Sequence, residues 1–347
     1  MKKELNEISW KVDEPTYRKN KSLSYSTIAK FHREGFEKLD KLFDKVESPS
    51  LLLGSLVDCI TTDGNEEYDN RYFVVDMPEI NDKIIDIIKT LFNNFKDIYD
   101  NLLNIPDKLI IPLTEQFSYQ LNWKDTTRVK VIKEKGADYY NYLYLAGDKV
   151  IISSELNNLA HEMANLLIES EQTKSFFTTN TPFSNVRNYY QLKFKSTIDD
   201  VPYRCMFDII QVDYEKKTIQ PVDVKTSYKP TYNFYKSFLE WCYWMQCELY
   251  ARILKENIKK DEYFKDFTIL PYKDIVISKS NMIPLVWDWE YTFTDKTIYL
   301  GKNNQIELKH PLIVGKELYD YLNNKNKVPN EINIETSNSL SKWINKL

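Results

Sequence analysis

Two strand-like stretches of the sequence carry acidic and basic side chains at a spacing that suits metal-dependent chemistry. Asp208 lies in the apolar stretch CMFDIIQV, and Asp223 and Lys225 lie two residues apart in the stretch VDVKT. Because strand side chains alternate between the two faces of a sheet, Asp223 and Lys225 share one face. A turn signal at 215–217 makes the stretches neighbours, so the carboxylates of Asp208 and Asp223 can converge on one point.

These groups resemble the ligand set of a hard cation. The two carboxylates and the backbone carbonyl of Val224 are oxygen donors of the kind that Mg²⁺ or Mn²⁺ prefers. Such an ion polarises a phosphodiester and lowers the pKa of a bound water. Lys225 beside it can orient or deprotonate that water and stabilise the charge that develops on the phosphate. The spacing therefore favours phosphodiester hydrolysis over acyl or hydride transfer.

A simpler alternative exists for Asp223 and Lys225. In isolation, an Asp-x-Lys pair is most typical of an ion pair on the solvated face of a strand. Asp208 argues against that alternative, because a carboxylate among apolar strand residues is costly to bury unless a partner compensates its charge.

A polar side chain also interrupts the apolar face of the helix predicted after these strands. Gln246 and Tyr250 are four residues apart and therefore lie on one helix face. A buried amide without a partner costs about 1–3 kcal/mol, so Gln246 is either a core amide with a partner or part of a site. The aromatic residues just before it are interpreted as core or interface packing residues and not as base-stacking ones: Trp241, Tyr243 and Trp244.

The elements that must position these residues follow a simple order along the chain. Amphipathic helices are predicted first, among them one over 23–43 that Ser24 or Ser26 can cap. Strands follow over 189–198, 202–214 and 218–226, then one long helix over 238–256, two further strand-like stretches, and a closing helix that starts at Glu317. This order predicts an α+β fold with helices first and a sheet after.

We predict a single domain over 1–347. Its parts are a mainly helical segment over 22–180, a sheet and catalytic core over 188–295 and a C-terminal extension over 296–347. No repeat, Gly/Ser linker or change in composition marks a boundary between domains.

Composition limits the classes of function. The 347 residues have a net charge of -4, which argues against a generally basic surface for nucleic acid, so any DNA contact must come from a local patch. The four cysteines have no metal-binding spacing and are expected to be buried thiols. No apolar stretch resembles a leader or a membrane span, so we expect a cytoplasmic protein without membrane association.

The order of these motifs resembles a nuclease family. Asp208, then Asp223-Val224-Lys225, then Gln246-x-x-x-Tyr250 resembles the PD-(D/E)xK nuclease superfamily in its RecB-like exonuclease branch. Gly54-Ser-Leu-Val-Asp58 stands where that branch carries Gly-x-x-x-His, and LSYSTIAKFHREGF is similar to the N-terminal helix of the family, which opens with serines. The stretches around these motifs resemble the phage-type exonucleases of the RecE and lambda-exonuclease kind, over about residues 22–295.

The resemblance implies a restriction-endonuclease-like core, a mixed central sheet flanked by helices, with a divalent metal that cleaves DNA. It makes Asp208 and Asp223 metal ligands and Lys225 catalytic, while Gln246 and Tyr250 shape the site and hold a phosphate or the scissile strand. Because of their positive charge, Lys30 and Arg33 of the front helix are predicted to bind phosphates beside the site, with a solvated face as the alternative. The predicted DNA-binding residues of this helix are Ser24, Ser26, Lys30 and Arg33.

Two positions depart from the family pattern. Asp58 replaces the usual histidine and is expected to be a metal ligand, with a turn carboxylate as the alternative. Gln191 stands where relatives often carry a glutamate, and an amide supplies no negative ligand. We therefore predict one well-formed metal site instead of two.

The leading hypothesis is a metal-dependent exonuclease that degrades linear duplex DNA in phage recombination or DNA processing, in the cytoplasm of a bacterial host. Relatives of this kind act at duplex ends, often as homo-oligomeric rings, and work with a single-strand annealing protein. Two alternatives stay open: a structure-specific endonuclease of the same superfamily, and a catalytically silent DNA-binding or assembly protein that kept the fold.

Overall fold

The computed structural model describes residues 2–44, 48–290 and 296–323. The helices in these residues are α1 (Glu14–Lys19), α2 (Tyr25–Glu34), α3 (Pro49–Asp58), α4 (Asn65–Arg71), α5 (Asp82–Phe95), α6 (Asp107–Gln116), α7 (Asp125–Ala146), α8 (Ser154–Glu169), α9 (Phe234–Glu240), α10 (Tyr243–Ile258) and α11 (Pro311–Asn323). The strands are β1 (Tyr72–Val75), β2 (Val150–Ser153), β3 (Val186–Ile198), β4 (Val201–Asp213), β5 (Thr218–Ser227), β6 (Thr268–Ile269), β7 (Tyr272–Ser278), β8 (Leu285–Trp289), β9 (Ile298–Leu300) and β10 (Ile306–Leu308).

The central sheet is mixed and has six strands. Its order is β3-β4-β5-β7-β8, with the short β6 paired to one end of β5. The pairs β3–β4, β4–β5 and β7–β8 are antiparallel, whereas β5 and β7 run parallel. Helix α10 packs on β3 and β4, and α3 packs on β5. The predicted α+β fold, a mixed central sheet flanked by helices, is confirmed.

Two predicted turns shape this sheet. The β3–β4 pairing ends at Ile198 and Val201, and the two residues between them, Asp199 and Asp200, have φ angles of 49° and 63°. Such two-residue turns match the twist of an antiparallel pair. In the next turn the Asp213 carboxylate accepts hydrogen bonds from the backbone N–H groups of residues 215 and 216, at 3.0 and 2.9 Å. Turn chemistry therefore places β4 beside β5, as predicted.

The core of the sheet lies against α10. One face of β4 contributes Phe207, whose ring is 5.2 Å from that of Tyr250 on the helix and 6.5 Å from that of Tyr272 on β7. Most residues of α10 are buried, including Trp244 and Met245. The four cysteines are buried thiols, as predicted.

Two predicted helices differ from the observed ones. The helix predicted over 23–43 ends at Glu34, because Gly35 adopts a φ of 70° that ends the helical path. The helix predicted over 238–256 is two helices, α9 and α10, separated at Cys242, which has a left-handed φ of 60°. The break leaves Trp241 45% exposed, so of its two predicted roles, core or interface packing, the core role is wrong.

The chain divides into two compact units. The first contains residues 1–63 and 162–347, and the second contains residues 64–161. The central sheet belongs to the first unit. The second unit has the parallel pair β1–β2 and its own core, which includes Ile88, Ile132 and Tyr140. The sequence predicts one domain over 1–347 with boundaries near 180, 188 and 295, and that division stays a prediction.

The closing helix α11 begins at Pro311, six residues before its predicted start at Glu317. Within the described residues, no helix is both long enough and apolar enough to cross a membrane.

Candidate active site

A glycine brings α3 close to β5. Ser48 caps the helix by accepting a hydrogen bond from the N–H of Leu51 at 3.2 Å, and Pro49 begins it. A Cβ atom on Gly54 would lie 3.2 Å from the Oγ1 of Thr226, so the absence of a side chain permits the close approach. Because residues four apart share a helix face, Asp58 lies on the same side of α3 as Gly54.

This contact predicts the effect of a larger residue at Gly54. In Gly54→Val the branched side chain would push α3 away from β5 and move Asp58 with it. We expect the free energy of unfolding to fall by about 1–3 kcal/mol, together with a loss of any activity that depends on Asp58. Thermal unfolding measures the first effect. Ser55→Val adds a branched residue at the next position of α3, which is exposed, and should change neither property; equal effects of both variants would contradict the packing argument.

Asp58 is held by an irregular turn and by a strand of the sheet. A π-helical turn, Cys59–Asp63, follows it, and the Thr62 hydroxyl donates to the Asp58 carbonyl at 2.8 Å. The Gln191 amide donates to both Asp58 carboxylate oxygens, at 3.3 and 3.1 Å, and to the Thr62 hydroxyl at 2.9 Å. Gln191, which belongs to β3, therefore holds the Asp58 carboxylate in place.

Gln191 has an unusual backbone conformation. Its φ is 52°, and the β3–β4 register skips it, since the ladder passes from Tyr190–Ile209 to Leu192–Phe207. Left-handed backbone at a residue other than glycine is uncommon and often accompanies function. The sequence indicated that Gln191 lies near the site, but not that it is a partner of Asp58.

Burial makes the Asp58 carboxylate costly to ionise. Desolvation raises its pKa to about 7, and the negative charges of Asp63 and Asp223 add to this effect. The hydrogen bonds from Gln191 and Thr62 oppose it, because they favour the charged form. Asp58 therefore lies close enough to Asp223 for the two charges to interact.

Asp208 bridges the point where the strands β4 and β5 separate. Their paired residues run from Asp213 and Thr218 to Ile209 and Val222, and the ladder ends there. The next residue, Asp208, uses its Oδ2 atom to accept a hydrogen bond from the Val224 N–H at 2.8 Å. The carboxylate thus replaces a ladder hydrogen bond and lies beside β5.

The pKa of Asp208 is also raised, well above its usual value. Desolvation is the main cause, followed by the charges of Asp223 and Asp58, whereas Lys225 and the Val224 N–H favour ionisation. The three carboxyl groups therefore influence one another electrostatically. The roles of Asp208, Asp223 and Asp58 as metal ligands stay a prediction.

Asp223, Lys225 and Gln246 form a closed triangle. The Gln246 amide donates to Asp223 Oδ1 at 2.5 Å, and its Oε1 accepts from Lys225 Nζ at 2.8 Å. Lys225 Nζ also pairs with Asp223 Oδ2. The side chains of Lys225 and Asp223 are only 14% and 4% exposed, so the alternative of an ion pair on a solvated face is wrong. The partner expected for a buried Gln246 is this ion pair.

The charge of Lys225 is strongly favoured. Desolvation alone would lower its pKa, but Asp223, followed by Tyr243, Asp274 and Asp208, outweighs burial and raises the pKa above the ordinary value. The ammonium also lies 4.5 Å from the centre of the Tyr243 ring. In this arrangement Lys225 is a cation and not a free base.

Tyr250 lies one helical turn after Gln246, as predicted. Its side chain is buried, and desolvation raises its pKa well above the usual value, with smaller effects from charged and polar neighbours that include Asp223 and Asp208. Its ring packs on Phe207, so the residue joins the core to the carboxylate cluster.

A fourth buried carboxyl group, Asp274, was missed by the sequence analysis. It lies on β7 directly opposite Asp223 in the parallel register, and it is 1% exposed. Neither of its oxygens has a hydrogen-bond partner among the described residues. Desolvation raises its pKa to about 8, Lys225 opposes the rise and Asp223 adds to it. The signal that identified Asp208, a carboxylate inside an apolar strand, was also present in the stretch YKDIVIS.

The four residues predicted to contact DNA are engaged with their own chain. The Ser24 hydroxyl is 2.9 Å from that of Ser26. Lys30 donates to the carbonyl of Lys41, and Arg33 donates to the carbonyl of Trp241 at 3.3 Å. Their role in DNA binding stays a prediction.

Helix α2 nevertheless lies beside the triangle. The Tyr25 ring is 6.3 Å from that of Tyr243, the residue whose ring faces Lys225. The helix that carries the predicted phosphate contacts is therefore next to the Lys225 side chain.

The carboxylate oxygens of these side chains are donors of the type that a hard divalent cation binds, but they are engaged with other partners. In the described part of the chain, no group of three or more His, Cys, Asp or Glu side chains is arranged to hold a metal ion. One oxygen of Asp223 binds Lys225 and the other binds Gln246, whereas both oxygens of Asp58 accept from Gln191. The charge of Asp223 raises the pKa of both Asp58 and Asp208, and a divalent cation would relieve this repulsion. A metal on Asp223 would compete with Lys225 for this carboxylate.

A solved structure aligns with this chain over most of its length. The crystal structure of a protein from Eubacterium rectale, named "Putative exonuclease", has 12% sequence identity to this chain and a TM-score of 0.42, and the alignment covers 94% of this chain and 91% of that one. No protein-family model matches the sequence, and no curated protein matches it. The α+β fold is established by the helices and strands of this chain.

Proposed function

We propose that this chain is a metal-dependent deoxyribonuclease with a restriction-endonuclease-like core. The observation that carries the proposal is the buried ion pair of Asp223 and Lys225, held by Gln246, with the charges of Asp208 and Asp58 close enough to act on each other and on Asp223. Buried groups with shifted pKa values and a specific charge partner are typical of functional sites.

The residues have distinct tasks in the proposed reaction. Asp58, Asp208, Asp223 and the Val224 carbonyl would hold one Mg²⁺ or Mn²⁺, which supplies a Lewis acid and a bound water of lowered pKa. Lys225, whose charge is favoured, would act as a cation beside the scissile phosphate and orient the attacking water. These tasks suit hydrolysis of a phosphodiester bond.

Gln246 and Tyr250 would support this chemistry from α10. The Gln246 amide already binds both Asp223 and Lys225, so it fixes their separation. Tyr250 is anchored on Phe207 and would offer its hydroxyl to a phosphate of the bound strand.

The finer proposal is an exonuclease that degrades linear duplex DNA from its ends in phage recombination. It rests on the motif order Asp208, Asp223-Val224-Lys225, Gln246-x-x-x-Tyr250. A homo-oligomer, a single-strand annealing partner and a cytoplasmic location in the bacterial host belong to the same proposal. Because the net charge is -4, the DNA contacts must come from a local patch, and we propose Lys30 and Arg33 of α2 as members of it.

One experiment tests the proposed reaction. End-labelled linear duplex, closed circular duplex and single strands are incubated with the protein and Mg²⁺ or Mn²⁺, beside the Lys225→Met variant. We expect loss of the linear duplex but not of the circle, and no loss with the variant. Nicking of the circle would instead establish the endonuclease. If no DNA is lost in any lane while the protein still binds DNA, the silent DNA-binding protein replaces both enzyme proposals.

The raised pKa of Asp58 predicts how stability depends on pH without metal. The ordinary pKa of an aspartate is 3.8, which we take for the unfolded chain, and in the fold the pKa is about 7. Between these pH values the folded protein holds a proton that the unfolded chain has lost. The contribution of Asp58 to the free energy of unfolding is therefore fully present below the lower value and is lost as the pH rises through the upper one.

Metal binding should reverse this loss. Because a cation binds the ionised carboxylates, Mn²⁺ should raise the unfolding temperature more at about pH 8 than at about pH 6. A cation at about a hundredfold excess over its Kd contributes about 2.7 kcal/mol. Thermal unfolding in Mn²⁺ and in chelator measures the difference. Asp58→Asn should reduce the dependence on pH; equal shifts at both pH values in the unchanged protein would contradict the prediction.

A further inference from the structure

We infer that Asp274 is a positioning residue for Lys225: it receives the Lys225 ammonium when Asp223 turns to the metal. The inference rests on the proposed nuclease function, because it concerns the state of the site in which Asp223 is a metal ligand. Asp274 is a buried carboxyl group that is not part of the triangle of Asp223, Lys225 and Gln246, and the inference gives it a function.

The first step is a conflict at Asp223. Its Oδ2 atom pairs with Lys225, and its Oδ1 atom accepts from Gln246 at 2.5 Å. A hard cation would compete with both donors for these two oxygens. An ammonium held against a metal ligand would also be repelled by the metal's own charge. Lys225 therefore needs another anionic partner once a metal is bound.

The second step is the position of Asp274. Strands β5 and β7 are parallel and in register, with Asp223 opposite Asp274 and Lys225 opposite Val276. Residues directly opposite in a sheet project to the same face, on strands about 5 Å apart. Asp274 is therefore beside Asp223 on the face that carries Lys225. The same register explains why the charge of Asp274 acts on Lys225.

The third step is the state of Asp274 itself. The residue is 1% exposed, and among the described residues neither of its carboxylate oxygens accepts a hydrogen bond. Other groups that sense its charge are Tyr243, Cys247 and Tyr272, none of which is cationic. A buried carboxyl group without a partner is unfavourable for stability, and such groups are retained where function requires them.

These steps describe two positions for one lysine. Without metal, Lys225 lies between Asp223 and Gln246. With metal, the ammonium would shift by one strand towards Asp274 and stay beside the scissile phosphate as a cation. Gln246, which touches both Asp223 and Lys225, would guide the movement. No bond between heavy atoms is formed or broken in this step; Asp274 pairs with Lys225 as the carboxylate, so a proton that its buried carboxyl group holds without metal leaves to solvent.

A structure of the unchanged protein with bound Mn²⁺ tests the movement directly. We expect Lys225 Nζ within about 4 Å of an Asp274 oxygen, the limit for an ion pair, and Asp223 bound to the metal. If Lys225 Nζ stays on Asp223 while Mn²⁺ occupies the site, the inference is wrong. This measurement needs no substitution and no DNA cleavage.

A second measurement uses Asp274→Asn, which keeps the shape and removes the charge. Loss of a residue that orients a catalytic group typically costs about 10- to 100-fold, so we expect kcat on linear duplex to fall by that factor. The KM for DNA and the Kd for Mn²⁺ should change by less than about twofold, since the ligands remain. The unfolding temperature without metal should not fall. A purely structural residue would lower the unfolding temperature and leave kcat of the folded protein unchanged, and that result would overturn the inference.

Asp288→Asn is the matched control. Asp288 lies on β8, is more than half exposed, and pairs with Lys273 of β7. The same substitution there should leave kcat unchanged. If the unchanged protein binds Mn²⁺ and moves Lys225 to Asp274 but cleaves no DNA, the proposed function fails and the pairing stands. If it cleaves DNA while Lys225 stays on Asp223 and Asp274→Asn keeps full kcat, the function stands and the inference fails.

Discussion

Asp208→Asn is expected to abolish metal-dependent DNA degradation and to leave the fold intact. Asparagine keeps the side-chain oxygen that accepts the Val224 N–H, now at 2.8 Å, so the connection between β4 and β5 survives. It removes a negative charge from the proposed metal site. A metal contributes several kcal/mol of transition-state stabilisation, so turnover should fall by at least about 10³-fold, which corresponds to roughly 4 kcal/mol.

The same variant should be at least as stable as the unchanged protein in chelator. Burial and the charges of Asp223 and Asp58 raise the pKa of Asp208, which means that its ionised form is unfavourable in the fold. A neutral amide removes that cost. Mn²⁺, in contrast, should no longer raise the unfolding temperature. Thermal unfolding with chelator and with Mn²⁺ at about pH 8 measures both effects.

Asp213→Asn provides a control on the same strand. Asp213 also uses a carboxylate oxygen to accept backbone N–H groups, at the opposite end of β4. Asparagine can accept them as well, so this variant should keep both degradation and the effect of Mn²⁺. Degradation by Asp208→Asn at the rate of the unchanged protein would rule out Asp208 as a metal ligand.

Lys225→Met is expected to lose turnover although it still binds the metal. The metal ligands remain, so Mn²⁺ should still bind and still raise the unfolding temperature. The cation beside the phosphate is lost, and removal of one such group typically lowers kcat by about 10²- to 10³-fold. Quantitative DNA degradation and a Mn²⁺ titration by calorimetry separate the two properties.

The stability of Lys225→Met should depend on metal. Without Lys225, the partner that remains for the buried Asp223 carboxylate among the described residues is Gln246. The loss of one partner of a buried pair typically costs about 3–5 kcal/mol. Mn²⁺ would supply the missing positive charge and recover much of this loss. The variant should therefore be unstable in chelator and nearly normal in Mn²⁺.

Lys273→Met is the comparison for this variant. Lys273 pairs with Asp288 at the surface, with side chains 25% and 56% exposed, and exposed pairs contribute about 0–1 kcal/mol. Its loss should affect stability little and turnover not at all. Full turnover by Lys225→Met would exclude Lys225 from the reaction.

The central part of the site could be predicted because its determinants are local. Strand alternation places Asp223 and Lys225 on one face, and the turns at 199–200 and 215–217 bring β4 beside β3 and β5, respectively. Helical spacing likewise places Gln246 one turn before Tyr250. Each of these relations needs only a few residues of sequence.

The remaining features depend on tertiary contacts that sequence spacing does not reveal. Asp274 meets Asp223 only because β5 and β7 pair in parallel, and the register of such a pair is not fixed by a turn. The left-handed Gln191 and Cys242 break local preferences that their residue types normally follow. For the same reason the hydrogen bonds between Gln191 and Asp58 could not be predicted.

The division of the chain affects the order in which it can fold during synthesis. Residues 64–161 are continuous and bury their own core, whereas the unit that contains the site uses segments on both sides of them. Ribosomes add about 5–20 residues per second, and domains generally fold as units once they emerge. Asp58 therefore leaves the ribosome roughly 10–40 s before Asp274, and the inserted unit can be complete in that interval. A nascent chain that ends before β7 lacks Asp274, so Asp58 waits in the growing chain until β7 has emerged before all four carboxyl groups are present.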